Sequence, residues 1–333
     1  MSERPKVSAV VVTWNSARDI EACLHSLLLQ TYPLHEIVLI DNHSSDGTAD
    51  LVSRLFPTVT LIRLDYNAGF AKGNNIAIAQ TTGDWVLALN PDAVIEPDWL
   101  QKLLLFADTH PKSGSLGGLL LRTKGGSAGE MIDSVGIEIY RSRRVRDRGA
   151  GEPATELPSN PVKAFGICAA AALYRRTMLV DTSIYGEVFP ESFYCYYEDA
   201  DLAWRAWRRG WEAWIVPDAV GHHRRGGSPT GAKFSRFLTH RNRFWMIARN
   251  DRFASLWAAL PELIFHELIL LLRMLRYPYL FKASLEALAG LPKAMRDRRQ
   301  LVSTSKLPPP FLPGIGFTGL EQKNALRRIR NFS

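Results

Sequence analysis

Small polar and acidic residues follow four apolar runs within the first hundred residues of this chain. In chain order they are Thr13, Trp14 and Asn15; Asp41 and Asn42; Asn67 and Gly69; and Asn90, Pro91 and Asp92. Carboxylate and amide oxygens accept hydrogen bonds from a ligand or bind a hard divalent cation, and glycine lets backbone approach a ligand closely. One or two such residues would be ordinary loop positions. Their recurrence after all four runs predicts a binding site.

The last of these groups, Asn90-Pro91-Asp92, has the composition to bind a cation beside a diphosphate. A divalent cation held by the Asp92 carboxylate would neutralise a diphosphate and make it a better leaving group. Asn-Pro-Asp is also a good turn sequence, so a turn without a ligand is the alternative interpretation.

A second group of carboxylates, Glu198, Asp199 and Asp201, lies in the aromatic-rich run YCYYEDADLAWR. We predict that Asp201 lies at the start of a helix that carries Leu202 and Arg205. Carboxylates are stabilised at a helix N-terminus by the helix dipole. A structural role is therefore the alternative to acid–base chemistry, and both interpretations remain open for Asp201.

The elements that must position these groups alternate along the chain. Four apolar runs predict strands over Val7–Val12, Ile37–Ile40, Val59–Leu64 and Trp85–Leu89, with segments of helical periodicity after each of them. This order predicts a mainly parallel sheet with crossover helices, in which ligands bind beyond the carboxyl ends of the strands. Glycine-rich and charged loops are expected over residues 114–160, and the basic run Arg141–Arg146 is expected on a solvated hairpin or in a loop that contacts an acceptor.

The motifs together resemble the inverting family-2 glycosyltransferases. The resemblance is carried by VSAVVVTWNSARDIEACLHSLLLQTY, IVLIDNHSSDGT, NAGFAKGNN, GDWVLALNPD, FGICAAAALYRR, YYEDADLAWR and VPDAVGHH, and it covers about residues 7–250. It implies a GT-A fold, a Rossmann-like α/β domain that binds a nucleotide-sugar. The Asn-Pro-Asp variant of the acidic motif looks most like the bacterial rhamnosyltransferase branch, so dTDP-rhamnose is the expected donor.

The resemblance also implies roles for individual residues. Asp199 matches the base that takes the proton of the acceptor hydroxyl. Asp92 matches the ligand of Mg²⁺ or Mn²⁺, and His222 matches a histidine that completes the metal site in several relatives, although the adjacent His223 makes this assignment ambiguous. The residues expected to bind the nucleotide-sugar are Thr13, Asn15, Asp41, Asn67, Gly69, Asn74 and Asn90. Asn90 stands where many relatives carry a further Asp, so the metal would depend more on the diphosphate.

The C-terminal part of the chain is basic. Residues 219–333 carry 20 basic and 6 acidic side chains, whereas the whole chain has a net charge of +8. We predict a catalytic domain over 1–235, a basic amphipathic helical region over 236–300 and an extended tail over 301–333. The helical region is expected to lie on an anionic membrane surface, where the acceptor would be a glycan or lipid-linked glycan. The alternative is that these helices pack on the catalytic core or on a second subunit.

Composition excludes several other classes of protein. With 46% hydrophobic residues the chain can bury a core, and its three cysteines fit a reducing cytosol better than a disulfide scaffold. No apolar leader or spanning stretch is seen, so the active part is expected to face the cytosol, and a cytoplasmic protein that is peripheral on the inner face of the cell membrane is expected. A nucleic-acid binder is not expected, because no such motif occurs. The alternatives are a non-catalytic membrane-surface scaffold and a sugar-nucleotide pyrophosphorylase.

Overall fold

The N-terminal half forms the predicted parallel sheet. A computed structural model of the 333-residue chain describes residues 4–123, 131–156, 160–225 and 231–304. The first four strands are β1 (Val7–Thr13), β2 (Glu36–Asp41), β3 (Thr60–Arg63) and β4 (Trp85–Leu89), and they lie side by side in the parallel order β3-β2-β1-β4. The helices between them are α1 (Ile20–Leu28), α2 (Thr48–Leu55) and α3 (Gly69–Ala79). The carboxyl ends of the four strands, and so the polar residues that follow them, share one edge of the sheet.

The sheet continues beyond β4 with strands of mixed direction. After the short strand β5 (Ala93–Ile95) and α4 (Trp99–Thr109) come β6 (Ser113–Arg122), β7 (Ile132–Ser134), the hairpin strands β8 (Ile137–Ile139) and β9 (Val145–Asp147), β10 (Val162–Ala164), β11 (Ala171–Arg175) and β12 (Glu212–His223). The main path of the ten-stranded sheet is β10-β12-β6-β11-β4-β1-β2-β3. The β11 strand is antiparallel to both of its neighbours, whereas β12 runs parallel to β6. The predicted mainly parallel α/β fold is therefore confirmed.

The basic run Arg141–Arg146 lies on the β8–β9 hairpin, as one interpretation expected, but residues 114–160 depart from expectation at two points. The glycine-rich segment from Gly114 belongs to β6, an interior strand, because its glycines allow close packing: a Cβ on Gly118 would collide with the carbonyl of Ala219 and the indole of Trp99. Arg143, in the basic run expected to be solvated, is fully buried in the β8–β9 turn, where its Nε donates to Asp251 at 2.5 Å.

Apolar side chains cover both faces of the sheet. Val7, Ala9 and Val11 of β1 pack with α1 and α4 on one face, while Val10 and Val12 pack with α3 on the other. Successive strand residues point to opposite faces. A strand covered on both sides favours apolar residues on both faces, which explains the near-continuous apolar run in β1, where the buried Ser8 instead donates to Glu36.

The C-terminal part is helical, as predicted. The helices are α5 (Arg176–Thr182), α6 (Glu198–Arg209), α7 (Ala232–Asn250), α8 (Phe253–Ala258), α9 (Leu260–Arg276) and α10 (Tyr279–Thr304). The last helix continues four residues past the point where the extended tail was expected to begin, and the rest of that tail, 305–333, lies outside the described residues. Among the helices of the described residues, none has the length and apolar character to cross a bilayer.

Candidate active site

The ends of β1 and β2 bring Thr13 and Asp41 together. The strand register pairs these two residues, and Thr13 Oγ1 donates to Asp41 Oδ1 at 3.1 Å. The second carboxylate oxygen of Asp41 accepts the backbone N–H of Ser44 at 3.0 Å. Both residues are buried. A carboxylate offers about four acceptor positions, so Asp41 can still accept a hydrogen bond from a ligand.

Asn15 joins the loops that follow these two strands. Its backbone has a φ of 51° and its N–H donates to Ser44 Oγ at 2.9 Å. Its side-chain oxygen accepts the N–H of Ser45 at 2.8 Å. Asn tolerates the left-handed conformation better than most residues. The contacts of Asn15 in the structure are thus with the loop after β2, which it shapes.

The start of α3 is fixed by amide side chains. Asn67 Oδ1 accepts the N–H of Gly69 at 3.0 Å. Asn42 Nδ2 donates to the carbonyl of Gly69 at 3.2 Å, and its Oδ1 accepts the N–H of Ala68. Gly69 has a φ of +83°, and a Cβ there would lie 2.5 Å from the ring of Tyr194. Asn42, which the sequence places after the second apolar run but which was not among the expected nucleotide-binding residues, therefore connects the end of β2 to the predicted nucleotide loop.

Asn74 lies inside α3 rather than at its start. Its side chain is buried, and Nδ2 donates to the carbonyl of Phe70, one turn earlier, at 2.9 Å. The contact that the structure gives for Asn74 is local to the helix, unlike those of Asn67 and Gly69.

The Asn90-Pro91-Asp92 turn lies against the end of β12. Asp92 Oδ1 is 3.1 Å from His223 Nε2, and His223 Nδ1 is 2.8 Å from Asp133 Oδ2. His222, which was selected from the sequence, instead has its Nε2 3.1 Å from Glu96 Oε1. Adjacent residues of a strand point to opposite faces, so only one of the two histidines can meet Asp92. The structure therefore places His223, rather than the predicted His222, against Asp92.

Asp92 and His223 form a pair that could bind a divalent cation. Burial opposes protonation of His223, but its hydrogen bonds to Asp133 and Asp92 raise its pKa to about 9. A metal-binding histidine commonly has its other ring nitrogen oriented by a carboxylate, as Asp133 does here. No cluster of three or more His, Cys, Asp or Glu side chains suited to a metal occurs in the described residues. The pair fits a cation that displaces the His223 proton and takes its remaining ligands from a diphosphate.

Asp199 stands beside this turn. Its Oδ2 accepts the N–H of Ala169 at 3.4 Å, and the carbonyl of the next residue, Ala170, accepts the backbone N–H of Asn90 at 2.9 Å. Its Oδ1 accepts the N–H of Ala200 at 2.8 Å. Burial and the charge of Asp147 raise the pKa of Asp199 to about 6. The side chain is thus a carboxylate that can exchange a proton near neutral pH.

The two neighbouring carboxyl groups differ from Asp199. Glu198 is buried, and burial together with the charge of Asp199 raises its pKa well above the usual range. Asp201 is fully buried and contacts Arg205 at 2.8 Å, Arg249 at 2.9 Å and Asn250 at 2.6 Å. Burial alone would raise the pKa of Asp201, but the two arginines lower it. These contacts give Asp201 a structural role, which resolves the alternative left open by its sequence.

The segment before Asp199 is strained and is held by α7. Tyr194, Tyr196 and Tyr197 have φ values of 66°, 71° and 72°. Asn242 Nδ2 lies within hydrogen-bond distance of the carbonyls of residues 193, 195 and 196, at 2.9, 2.9 and 2.8 Å. Such conformations persist only where the surroundings enforce them. Sequence analysis missed Asn242, whose only visible signal was a polar residue between two arginines.

The comparisons with known proteins agree on one family and one fold. The family model described as glycosyl transferase family 2 matches residues 8–181. The chain is 29% identical over 272 residues to the N-acetylglucosaminyl-diphospho-decaprenol L-rhamnosyltransferase of Mycobacterium tuberculosis, covering 75% of this chain and 86% of the relative. It is also 29% identical over 191 residues to the poly(ribitol-phosphate) beta-N-acetylglucosaminyltransferase TarS of Staphylococcus aureus, covering 56% and 30%.

Two solved structures show the same fold at low identity. GalNAc-T7 with UDP, GalNAc and Mn²⁺ has a TM-score of 0.60 at 15% identity, and the match covers 75% of this chain and 48% of that one. TarS 1–349 of S. aureus in complex with UDP-GlcNAc has a TM-score of 0.55 at 20% identity, with coverage of 90% and 87%. The present chain thus spans about half of the first of these structures and most of the second.

Proposed function

Because this chain belongs to glycosyl transferase family 2 and has the GT-A fold of that family, we propose that it transfers a sugar with inversion from a nucleotide-diphosphate donor to an acceptor hydroxyl. One observation carries the proposal most directly. The Ala169–Ala170 segment is hydrogen-bonded to Asp199 on one side and to Asn90 on the other, so a proton acceptor and the Asn90-Pro91-Asp92 turn are neighbours. Inverting transfer needs a base for the acceptor hydroxyl and a site for the leaving diphosphate beside the same sugar.

Asp199 is proposed to take the proton of the acceptor hydroxyl as that oxygen attacks the anomeric carbon. A general base works best when its pKa is close to the working pH, and burial and the charge of Asp147 raise the pKa of Asp199 to about 6. At neutral pH the group is therefore mostly ionised and more basic than an exposed aspartate. The N–H groups of Ala169 and Ala200 hold the carboxylate in one orientation.

The nucleotide is proposed to bind at the ends of β1 and β2. Asp41 retains acceptor capacity and could accept the N3 proton of a pyrimidine, while Thr13 orients its carboxylate. Asn67 and Gly69 lie in the loop that would close over the base and the ribose. Asn15, Asn74 and Asn90 remain proposals for the same site, with Asn15 acting through the loop that it shapes.

Asp92 and His223 are proposed to hold Mg²⁺ or Mn²⁺. Such a cation would stabilise the negative charge on the departing diphosphate. Asp133 orients the His223 ring from its far side, at 2.8 Å from Nδ1. Because the site would offer only two protein ligands, its affinity for the cation should rise strongly when the diphosphate supplies further ligands.

The donor and the acceptor are proposed from the mycobacterial relative and from the Asn-Pro-Asp motif. We expect dTDP-rhamnose as the donor and a glycan on a polyprenyl carrier as the acceptor, since that relative is named for an L-rhamnosyl transfer to a decaprenol-linked sugar. A polyprenyl carrier is embedded in a membrane. The protein would therefore act peripherally, on the inner face of the cell membrane.

The test is a nucleotide-binding screen. The protein is incubated with dTDP, UDP, GDP and their sugars, with and without Mn²⁺, and its thermal unfolding is followed. A ligand at 100 times its Kd stabilises the folded state by about 2.7 kcal/mol. We expect stabilisation by a thymidine nucleotide that depends on Mn²⁺.

Two matched variants make this screen specific. Asp41→Ala should lose the nucleotide effect, whereas Asp50→Ala, at an exposed position on α2, should keep it. A folded wild-type protein that no nucleotide stabilises would contradict the proposal and favour a non-catalytic scaffold.

A further inference from the structure

Helix α9 turns an apolar face toward solvent. Ile264, Leu268, Leu271, Leu272 and Leu275 are spaced at helical intervals, and each is between 52% and 82% exposed. Residues three, four and seven apart share one side of a helix. Of the α9 residues, only Leu270 is buried. A surface helix usually packs its apolar side against the core, whereas α9 has large apolar side chains on the side that faces solvent.

The exposed apolar surface extends along the two neighbouring helices. Phe253 and Trp257 of α8 are 67% and 74% exposed. On α10 an exposed stripe with alternating spacings of three and four residues is formed by Phe281, Leu285, Leu288, Pro292 and Met295. Monomeric proteins rarely leave so many adjacent large apolar side chains in water unless the surface binds something.

Every charged residue on α9 and α10 that is classed as exposed is positive, although Lys293 also lies 3.8 Å from Glu187. The exposed cations are Arg273, Arg276, Lys282, Lys293, Arg296 and Arg299. The acidic residues of the same helices each pair with an arginine elsewhere in the fold: Glu262 with Arg141, Glu267 with Arg243, Glu286 with Arg241 and Asp297 with Arg249. The acidic side chains are thus each paired with an arginine, which leaves an apolar surface with a cationic margin.

We propose that this surface, the exposed apolar stripes and cations of α8–α10, docks on an anionic lipid bilayer. Large apolar side chains with Lys and Arg beside them are the composition of helices that lie in a membrane interface. A second copy is disfavoured as the occupant, because face-to-face pairing would bring six cations against six more. Residues 305–333 carry five basic and one acidic side chain, so they do not offer the complementary charge either.

The docking surface is attached to the active site through α7. Trp245 Nε1 of α7 donates to the carbonyl of Ala287 of α10 at 2.9 Å, and His240 Nε2 lies 2.8 Å from Ser284 Oγ. The same helix carries Asn242, which holds the segment before Asp199. Docking would therefore set the orientation of Asp199 relative to the bilayer. The inference goes beyond the proposed transfer reaction, since none of the candidate site residues lies on α8–α10.

The test is co-sedimentation of the full chain with vesicles of phosphatidylcholine, and with vesicles in which phosphatidylglycerol replaces part of it. Wild type is expected to bind the anionic vesicles and to bind the neutral ones at least tenfold more weakly. The double variant Leu271→Glu/Leu275→Glu should bind anionic vesicles at least tenfold more weakly than wild type. Lys282→Gln/Arg296→Gln should lose about fivefold per cation removed.

Matched controls separate docking from general hydrophobicity and from folding. Leu105→Glu on α4 and Val180→Glu on α5 remove apolar side chains that are 62% and 70% exposed on other elements, and both should bind vesicles like wild type. Nucleotide-dependent thermal stabilisation should be unchanged in all of these variants. If that stabilisation is absent in wild type while vesicle binding is intact, the proposed function fails and docking stands.

Three outcomes would overturn the docking proposal. The first is wild type that binds no anionic vesicles, and the second is a Leu271→Glu/Leu275→Glu variant that binds them as wild type does. The third is a wild-type dimer in light scattering that the same variant converts to a monomer without any effect on vesicle binding. That result would assign the surface to a second copy of the chain.

Discussion

Replacing Asn242 by alanine should weaken catalysis from a distance, by releasing the segment that leads to Asp199. Three carbonyls of that segment lie 2.8–2.9 Å from Asn242 Nδ2, and three of its tyrosines have positive φ values. Each strained residue of this kind costs about 1–3 kcal/mol and needs its surroundings to hold it. Without the amide, the segment can relax and carry the start of α6 with it.

The size of the effect follows from the contacts that are lost. Asn242 is fully buried, so its removal leaves backbone acceptors without a donor, at about 1–3 kcal/mol for each group left unsatisfied. An NH₂ group has two hydrogens and can satisfy two acceptors, which gives an expected loss of about 2–6 kcal/mol in the free energy of unfolding. A displacement of the base by about 1 Å can cost about 100-fold in rate. We therefore expect a ten- to hundredfold fall in kcat with little change in donor Kd.

The assay compares Asn242→Ala with Asn75→Ala. Asn75 also fixes a backbone segment, since its side chain donates to the carbonyl of Phe189 at 2.8 Å and accepts the N–H of the same residue at 2.9 Å. Both variants should lose stability in chemical denaturation. Only Asn242→Ala should lose turnover per folded molecule, measured at a temperature where both are folded. Equal turnover in the two variants would refute the reasoning that α7 positions Asp199.

Three further predictions concern ionisation, stability and the metal. The pKa of Asp199 is raised to about 6, so the transfer rate should fall about tenfold per pH unit below that value as the base becomes protonated. A transfer rate that is independent of pH from 5 to 8 would contradict the role of Asp199 as the base. Asp201→Asn removes the carboxylate that pairs with the buried Arg205 and one of the two that pair with Arg249, which keeps Asp297, and should lower the free energy of unfolding by about 3–5 kcal/mol. A loss below about 1 kcal/mol would show that these ion pairs are not structural. Finally, His223→Ala should weaken Mn²⁺-dependent donor binding at least tenfold in a Mn²⁺ titration, whereas His222→Ala should leave it unchanged. A loss in His222→Ala but not in His223→Ala would instead assign the metal site to His222, the residue predicted from the sequence.

The sheet was predictable because its central strands are buried on both faces. Continuous apolar runs such as the one in β1 identify such strands, and the polar residues at their ends follow from the parallel order. The strand β6 was missed because glycine has low strand propensity. Glycine is required at position 118 because residues 99 and 219, which are distant in sequence, approach its backbone closely. Local patterns do not contain that information.

The candidate site was predictable to the level of residue type but not of side-chain direction. The choice between His222 and His223 depends on which face of β12 is turned toward Asp92. The register of β12 with β5 and β6 determines that face. The difference between Asp199 and Asp201 depends on the arginines that surround the second of them. Asn242 is more than forty residues from the base in sequence, and only the packing of α7 brings it there.

The central claim, that Asp199 is the base and the strand ends bind the donor, is tested most directly by Asp199→Asn. Donor Kd and the rate of transfer are measured together for this variant and for Glu198→Gln. Loss of a general base costs about 10²–10⁴-fold in rate, so we expect Asp199→Asn to lose transfer by that factor while its donor Kd stays within about twofold of wild type. Burial and the charge of Asp199 raise the pKa of Glu198 well above its usual range, so the neutral glutamine should keep most of the activity. Transfer that survives in Asp199→Asn, or donor binding that is lost with it, would contradict the claim.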